Sequence, residues 1–189
     1  LQEFLMGIKR GADRLNQLVE DLMLMIQIDT GRTAGEFQMM AQVHPELESL
    51  LKISIQQQKQ KAADHGVTLE LTVEPNLPSV RICDPIFMNA LNRLIDNGIK
   101  FSHGDVKHVT VSAQVSDGWV EIAVSDQGIG IAAKDMPHLF ERFRQFNRDK
   151  MEQQGAGLGL ALAQELVRLH DGEIKVESTV EEGSTFTIR

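Results

Sequence analysis

Leu1, Leu5, Ile8, Ala12, Leu15, Val19, Leu22 and Ile26 recur at alternating steps of four and three residues. That is a heptad seam, which only one long helix can present on a single side. Leu18 and Met25 widen the stripe. A seam of this kind needs a helical partner, so it predicts a dimerisation or hairpin element over residues 1–30. Thr30, Gly31, Arg32, Thr33, Ala34 and Gly35 supply the small and polar residues that stop the helix. A linker is expected over 31–43, and a separate domain over 44–189.

Within 44–189 the periodicity changes. Leu47, Leu50, Leu51 and Ile55 open a second helix running to His65 and Gly66, and Val67, Leu69, Leu71 and Val73 alternate as a strand. Asp84 reads as an N-cap with Pro85 at the first helical position of a helix reaching Phe101. Val109, Val111 and Ala113, then Val120, Ile122 and Val124, are strands joined at Asp117-Gly118. A glycine-rich turn, a polar stretch, a helix over 157–170 and strands near 173–178 and 184–188 follow. These elements predict an α+β domain, a mixed sheet covered on one face by helices, preceded by one long helix.

Composition narrows the classes. The chain has 189 residues, 42% hydrophobic and 24% charged, which is ordinary globular content. Apolar runs break within about ten residues where a membrane span needs about twenty, so no membrane contact is expected of these residues. The single cysteine, Cys83, favours a reducing, cytoplasmic interior, although a membrane-anchored parent is compatible. A net charge of −8 argues against a nucleic-acid surface but leaves room for a local basic pocket. A chain starting at Leu1 reads as a segment of a longer one.

Four segments carry chemistry. On the helix over 84–101, Phe87, Leu91, Leu94, Ile95 and Ile99 share one face while Asn89, Arg93, Asp96, Asn97 and Lys100 share the other. Asn97 offers a hard amide oxygen suited to Mg²⁺ and Lys100 a point charge for phosphate, though an ordinary solvated face has the same spacing. Ser125-Asp126-Gln127-Gly128-Ile129-Gly130-Ile131 follows a strand; its glycines admit a flat ligand, and Asp126 can accept a hydrogen bond from an exocyclic amine. A plain glycine turn is the alternative. Gly155-Ala156-Gly157-Leu158-Gly159-Leu160 opens a helix, where free N–H groups and the helix dipole suit phosphate. Between them, Leu139-Phe140-Glu141-Arg142-Phe143-Arg144-Gln145-Phe146 and the polar residues to Gln154 have the make-up of a lid or of a loop with a helical start.

In this order the segments resemble the catalytic and ATP-binding domain of sensor histidine kinases, a Bergerat-fold α/β sandwich. Leu94 to Ser102 is similar to the N box, Asp126 to Ile131 to the G1 box, Phe140 to Phe143 to the F box, Gly155 to Leu160 to the G2 box and Gly183-Ser184-Thr185-Phe186 to the G3 segment. Glu20-Asp21-Leu22 and Asp29-Thr30-Gly31-Arg32 resemble the second helix of the family's dimerisation hairpin. The resemblance implies that ATP and Mg²⁺ bind here. Asn97 would hold the metal and Lys100 the phosphates. Asp126 would read adenine, with Gly128 and Gly130 shaping the base pocket. Gly155, Gly157, Leu158, Gly159 and Thr185 would complete the nucleotide site, with Gln145 near the γ-phosphate. It also implies a homodimer through the N-terminal helix and a response regulator receiver domain as partner.

Two departures bear on mechanism. Where the family usually has a second Asn one turn before the metal ligand, this chain has Arg93, expected either to bind phosphate or to oppose the metal; Asn92 is turned away around the helix. None of the six histidines stands in a His-acid-Leu-Arg phosphoacceptor motif, so the acceptor is expected upstream of Leu1. A protein-histidine kinase is the leading reading. An ATP-hydrolysing conformational machine would need a Glu where Arg93 stands, and an arginine cannot be a general base. A nucleotide-binding signalling module without kinase activity is the third.

Overall fold

The computed structural model describes residues 2–105, 107–145 and 156–189. Helix α1 (Gln2–Asp29) ends just before Gly31, whose φ of 75° lies in the left-handed region where a Cβ is strained. The chain then forms a second helix, α2 (Arg32–Met40), and a short strand, β1 (Gln42–His44). The segment expected as a linker is therefore folded. Phe37 gives the reason: its buried ring meets His170 edge-on at 4.8 Å, and the Arg81 guanidinium lies 5.3 Å above it. One large anchor in a nine-residue helix leaves no periodicity to read.

The rest runs α3 (Leu47–Asp64), β2 (Val67–Val73), β3 (Val80–Ile82), α4 (Asp84–Phe101), β4 (Lys107–Ser116), β5 (Trp119–Asp126), α5 (Gly159–Arg168), β6 (Ile174–Thr179) and β7 (Gly183–Ile188). Cys83, not Asp84, occupies the N-cap of α4, and no side chain caps it. Pro85 needs no N–H partner in that first turn, which makes a capping side chain less necessary. The β4–β5 connection is the two-residue turn Asp117-Gly118, both at positive φ, matching the right-handed twist of its strands.

The main sheet has five strands in the order β2-β4-β5-β7-β6, with β2 parallel to β4 and the other pairs antiparallel. β1 and β3 form a separate antiparallel pair that ties the segment after α2 to the start of α4. Helices α3, α4 and α5 cover one face of the sheet. Val109, Val111, Ile122, Val124 and Phe186 point into that layer, against Leu91, Leu94, Ile95 and Leu166. Alternation along each strand leaves the opposite face half-exposed. This is the mixed-sheet α/β sandwich expected from the patterns, and it leaves the polar side of α4 turned away from the core.

His170 pins α5 to the start of α4. Its Nδ1 bonds the Leu166 carbonyl at 2.9 Å while its Nε2 accepts the Cys83 N–H at 3.2 Å. Burial lowers its pKa below the ordinary histidine value, which keeps the ring neutral and able to accept.

Candidate functional site

The polar face of α4 forms one wall of a cavity of about 1090 Å³. Asn89, Arg93, Asp96, Asn97 and Lys100 line it, as do Asp126 at the end of β5, Gly130 in the segment after it, Gly157 just before α5 and Gly159 at its start. Its opposite side is α1, through residues including Arg14, Gln17 and Asp21. Segments far apart in sequence thus converge because α4, β5 and α5 are neighbours in the sandwich.

Asp126 sits at the carboxyl end of β5 with its carboxyl group mostly buried. Burial pushes its pKa up to about 6, opposed by hydrogen bonds from the backbone at Ser184 and Gly128. A buried acceptor at a cavity wall selects a ligand that brings a donor, such as a base amine. Gly128 allows this geometry, since a Cβ there would collide with the Phe101 carbonyl oxygen and the Asp126 carboxylate.

The same cavity holds crowded cations. Burial lowers the Lys100 pKa, and Lys61 and Arg14 lower it further, while Asp96 works the other way. Lys61 itself pairs with Asp96 across α3 and α4. Crowded, partly desolvated cations of this kind favour an anion among them. Gly159 begins α5 with no side chain on the first N–H groups, the arrangement that receives phosphate oxygens. Gly157, at φ 72°, accepts the Phe143 N–H at 2.9 Å, and a Cβ there would run into the Phe143–Arg144 backbone.

For a metal, the described residues hold no group of three or more His, Cys, Asp or Glu side chains able to ligate it. Asn97, half-buried on the cavity wall, offers one hard oxygen. That donor set fits Mg²⁺, which keeps several waters and takes one or two protein ligands together with substrate phosphates.

Of the residues singled out from sequence, Asn97, Lys100, Asp126, Gly130, Gln145, Gly157 and Gly159 line the cavity. Gly128 supports it from behind the Asp126 carboxylate. Gly155 lies outside the described residues, as do the lid positions from Phe146 onward. Leu158 does not face the cavity: it is buried with Met25, Ala161 and Leu162, joining α5 to α1. Thr185 points to the other side of the sheet, its hydroxyl shared with Ser125 at 2.9 Å, and Ser184 lines the cavity instead. Strand alternation counted from buried Phe186 is the signal that separates the two. Arg93 also lines the cavity, with its guanidinium engaged by protein: its Nη2 donates to Asp21 Oδ1 at 2.9 Å and its Nε to Asn89 Oδ1 at 2.7 Å. Asp21, Arg14 and Lys61 are site residues that sequence reasoning missed, because their relation to α4 is purely tertiary.

Residues 84–189 match the family described as histidine kinase-, DNA gyrase B- and HSP90-like ATPase. The chain is 32% identical over 198 residues to the circadian input-output histidine kinase CikA of Synechococcus elongatus, covering 99% of this chain and 24% of CikA. It is 31% identical over 182 residues to the histidine protein kinase SaeS of Staphylococcus aureus, covering 94% of this chain and 49% of SaeS. The chain thus spans half or less of the length of these curated relatives. Full-length ShkA in complex with AMPPNP shares the fold, with a TM-score of 0.78 at 24% identity over 99% of this chain and 38% of ShkA.

Proposed function

The chain belongs to the histidine kinase-, DNA gyrase B- and HSP90-like ATPase family, and from that premise we propose that residues 44–189 bind MgATP and pass its γ-phosphoryl group to a histidine outside residues 1–189. The observation that carries this reading is the convergence in one cavity of a buried carboxylate, crowded cations around Lys100 and a glycine-edged helix start. An adenine nucleotide has the matching polarity, an amine-bearing base and a polyanionic tail.

Asp126 accepts from the adenine amine. Lys100, the first N–H groups of α5 from Gly159 and the backbone at Gly157 just before it take the phosphate oxygens, with Gln145 beside them; Gly155 is proposed as a further phosphate contact from the motif alone. Asn97 would hold Mg²⁺, which when bound neutralises charge on the triphosphate. In the transfer an imidazole nitrogen attacks the γ-phosphorus, the bond to the bridging oxygen breaks, and ADP leaves. The chain's own contribution is to fix the triphosphate so that its terminal group faces the incoming imidazole. The kinase reading is favoured over a hydrolytic machine because Arg93 supplies no base for water.

The heptad seam of α1 is the proposed homodimer surface, and a response regulator receiver domain the onward acceptor. The parent protein is proposed to work in the cytoplasm or at its membrane face; no described helix is long and apolar enough to cross a membrane.

Isothermal calorimetry with MgATP tests the binding step. Asp126→Asn exchanges the acceptor for an amide and is expected to weaken ATP by roughly ten- to a hundred-fold; unchanged affinity removes Asp126 from the site. With labelled ATP, the chain alone should acquire no acid-labile, base-stable label, and a longer chain carrying the acceptor histidine should acquire it.

A further inference from the structure

Arg93 and Asp21 form the best-buried ion pair in the described residues that joins α1 to the domain, with side chains 15% and 9% exposed. They meet at the wall of the nucleotide cavity. Arg93 stands one helical turn before Asn97, so phosphates held at Asn97 and Lys100 come within reach of its guanidinium. Asp21 lies on the same side, and a triphosphate entering the cavity meets that carboxylate as a like charge.

We propose that a nucleoside triphosphate takes Arg93 from Asp21, so that filling the site loosens α1 from the domain. The proposal rests on the nucleotide reading above. Arg93 trades one oxyanion for another; Asp21 keeps only the neutral Gln17 amide, which donates to its Oδ1 at 3.0 Å, so its uncompensated charge drives that carboxylate, and α1 with it, toward water. Other contacts of α1 remain, so the exchange loosens the helix without releasing it. Arg142 makes a bidentate pair with Asp29 at 2.9 and 2.7 Å, but both groups are exposed, where such pairs contribute little. Met25, packed on Leu158, Ala161 and Leu162 with Leu18, Leu24 and Ile28 half-buried beside it, is an apolar contact that the exchange leaves in place. By linkage, if triphosphate weakens the hold on α1, weakening that hold must strengthen triphosphate binding by the same factor. Adenosine, which has no phosphate to offer Arg93, should do neither.

Amide hydrogen exchange of residues 17–28 in the 189-residue chain, read by mass spectrometry, tests this. A non-hydrolysable ATP analogue should speed exchange there and adenosine should leave it unchanged. Asp21→Asn, which keeps the side chain's size, should speed exchange without nucleotide and tighten the ATP analogue about tenfold, leaving adenosine affinity unchanged. The reversed pair, Asp21→Arg with Arg93→Asp, should restore slow exchange, and the ATP analogue should no longer accelerate it. If the analogue binds while α1 exchange is indifferent to it, or if Asp21→Asn leaves its affinity unchanged, the exchange of partners is overturned while the nucleotide site stands. A chain that binds no triphosphate overturns both.

Discussion

Helices α1 and α4 each carry an apolar stripe beside a polar one, and the fold uses them in opposite ways. The stripe of α4 is spent inside the sandwich, where Leu91, Leu94 and Ile95 are 0% exposed. The seam of α1 stays in solvent, with Leu15 60% and Ile26 55% exposed. α1 reaches the domain along the flank of the seam, through Leu18, Asp21, Leu24, Met25 and Ile28, and through Asp29. An apolar stripe therefore marks a face that needs covering without saying what covers it. Polar faces follow the same rule: that of α4 becomes the wall of a cavity, while Asp21, the one buried polar side chain among the described residues of α1, becomes a fastening.

The strongest way to break the comparison is to cut the same side chain from both helices. Leu94→Ala should cost about 2–5 kcal/mol of stability, because the sandwich cannot close around the lost volume. Leu15→Ala, in solvent, should change the stability of the isolated chain by about 0.5 kcal/mol or less. Equal melting shifts for the two variants would show that the seam is covered in the monomer. Deleting residues 1–30 comes next. The seam leaves with α1 while Phe37 and the sandwich core remain, so the truncated chain should be monomeric by light scattering and should still bind ATP. A truncated dimer would place the interface elsewhere.

The smallest effect concerns the proton on Asp126. Asp126 is protonated below about pH 6, and a neutral carboxyl is the weaker acceptor. Adenosine, whose lack of phosphate removes the ligand's own titration from this range, should bind about fivefold more weakly at pH 5 than at pH 7.5. Asp126→Asn should flatten that profile. Stability moves the other way. A carboxyl whose pKa is raised on folding contributes fully below its ordinary range and loses that contribution as pH rises through about 6. Thermal melts and adenosine titrations should therefore slope oppositely in the wild type, and parallel slopes would mean that another group controls both.

Much of this was legible in the residues alone. The long helix, the two-residue turn at Asp117-Gly118, the amphipathic α4 and the glycine segments all follow from local periodicity and backbone freedom, which a chain carries wherever it folds. Local pattern also puts Asn97 and Lys100 on one helix face and Asp126 at a strand end; that these border one cavity is tertiary. α2 and the β1–β3 pair were hidden because their stability comes from Phe37 and from register with a distant strand, not from any pattern of their own. Thr185 and Leu158 were assigned to the cavity because a motif names a stretch of chain, whereas facing is settled by the pleat in one case and by the seat against Met25 in the other. Arg93 shows the division most clearly. Its charge and its turn of helix are written in the sequence, but its partner is Asp21, 72 residues away, and only the packing of α1 beside α4 decides that pairing. Covalent neighbours determine which groups a helix presents; a charge interacts through space with whatever the fold brings within a few ångströms of it.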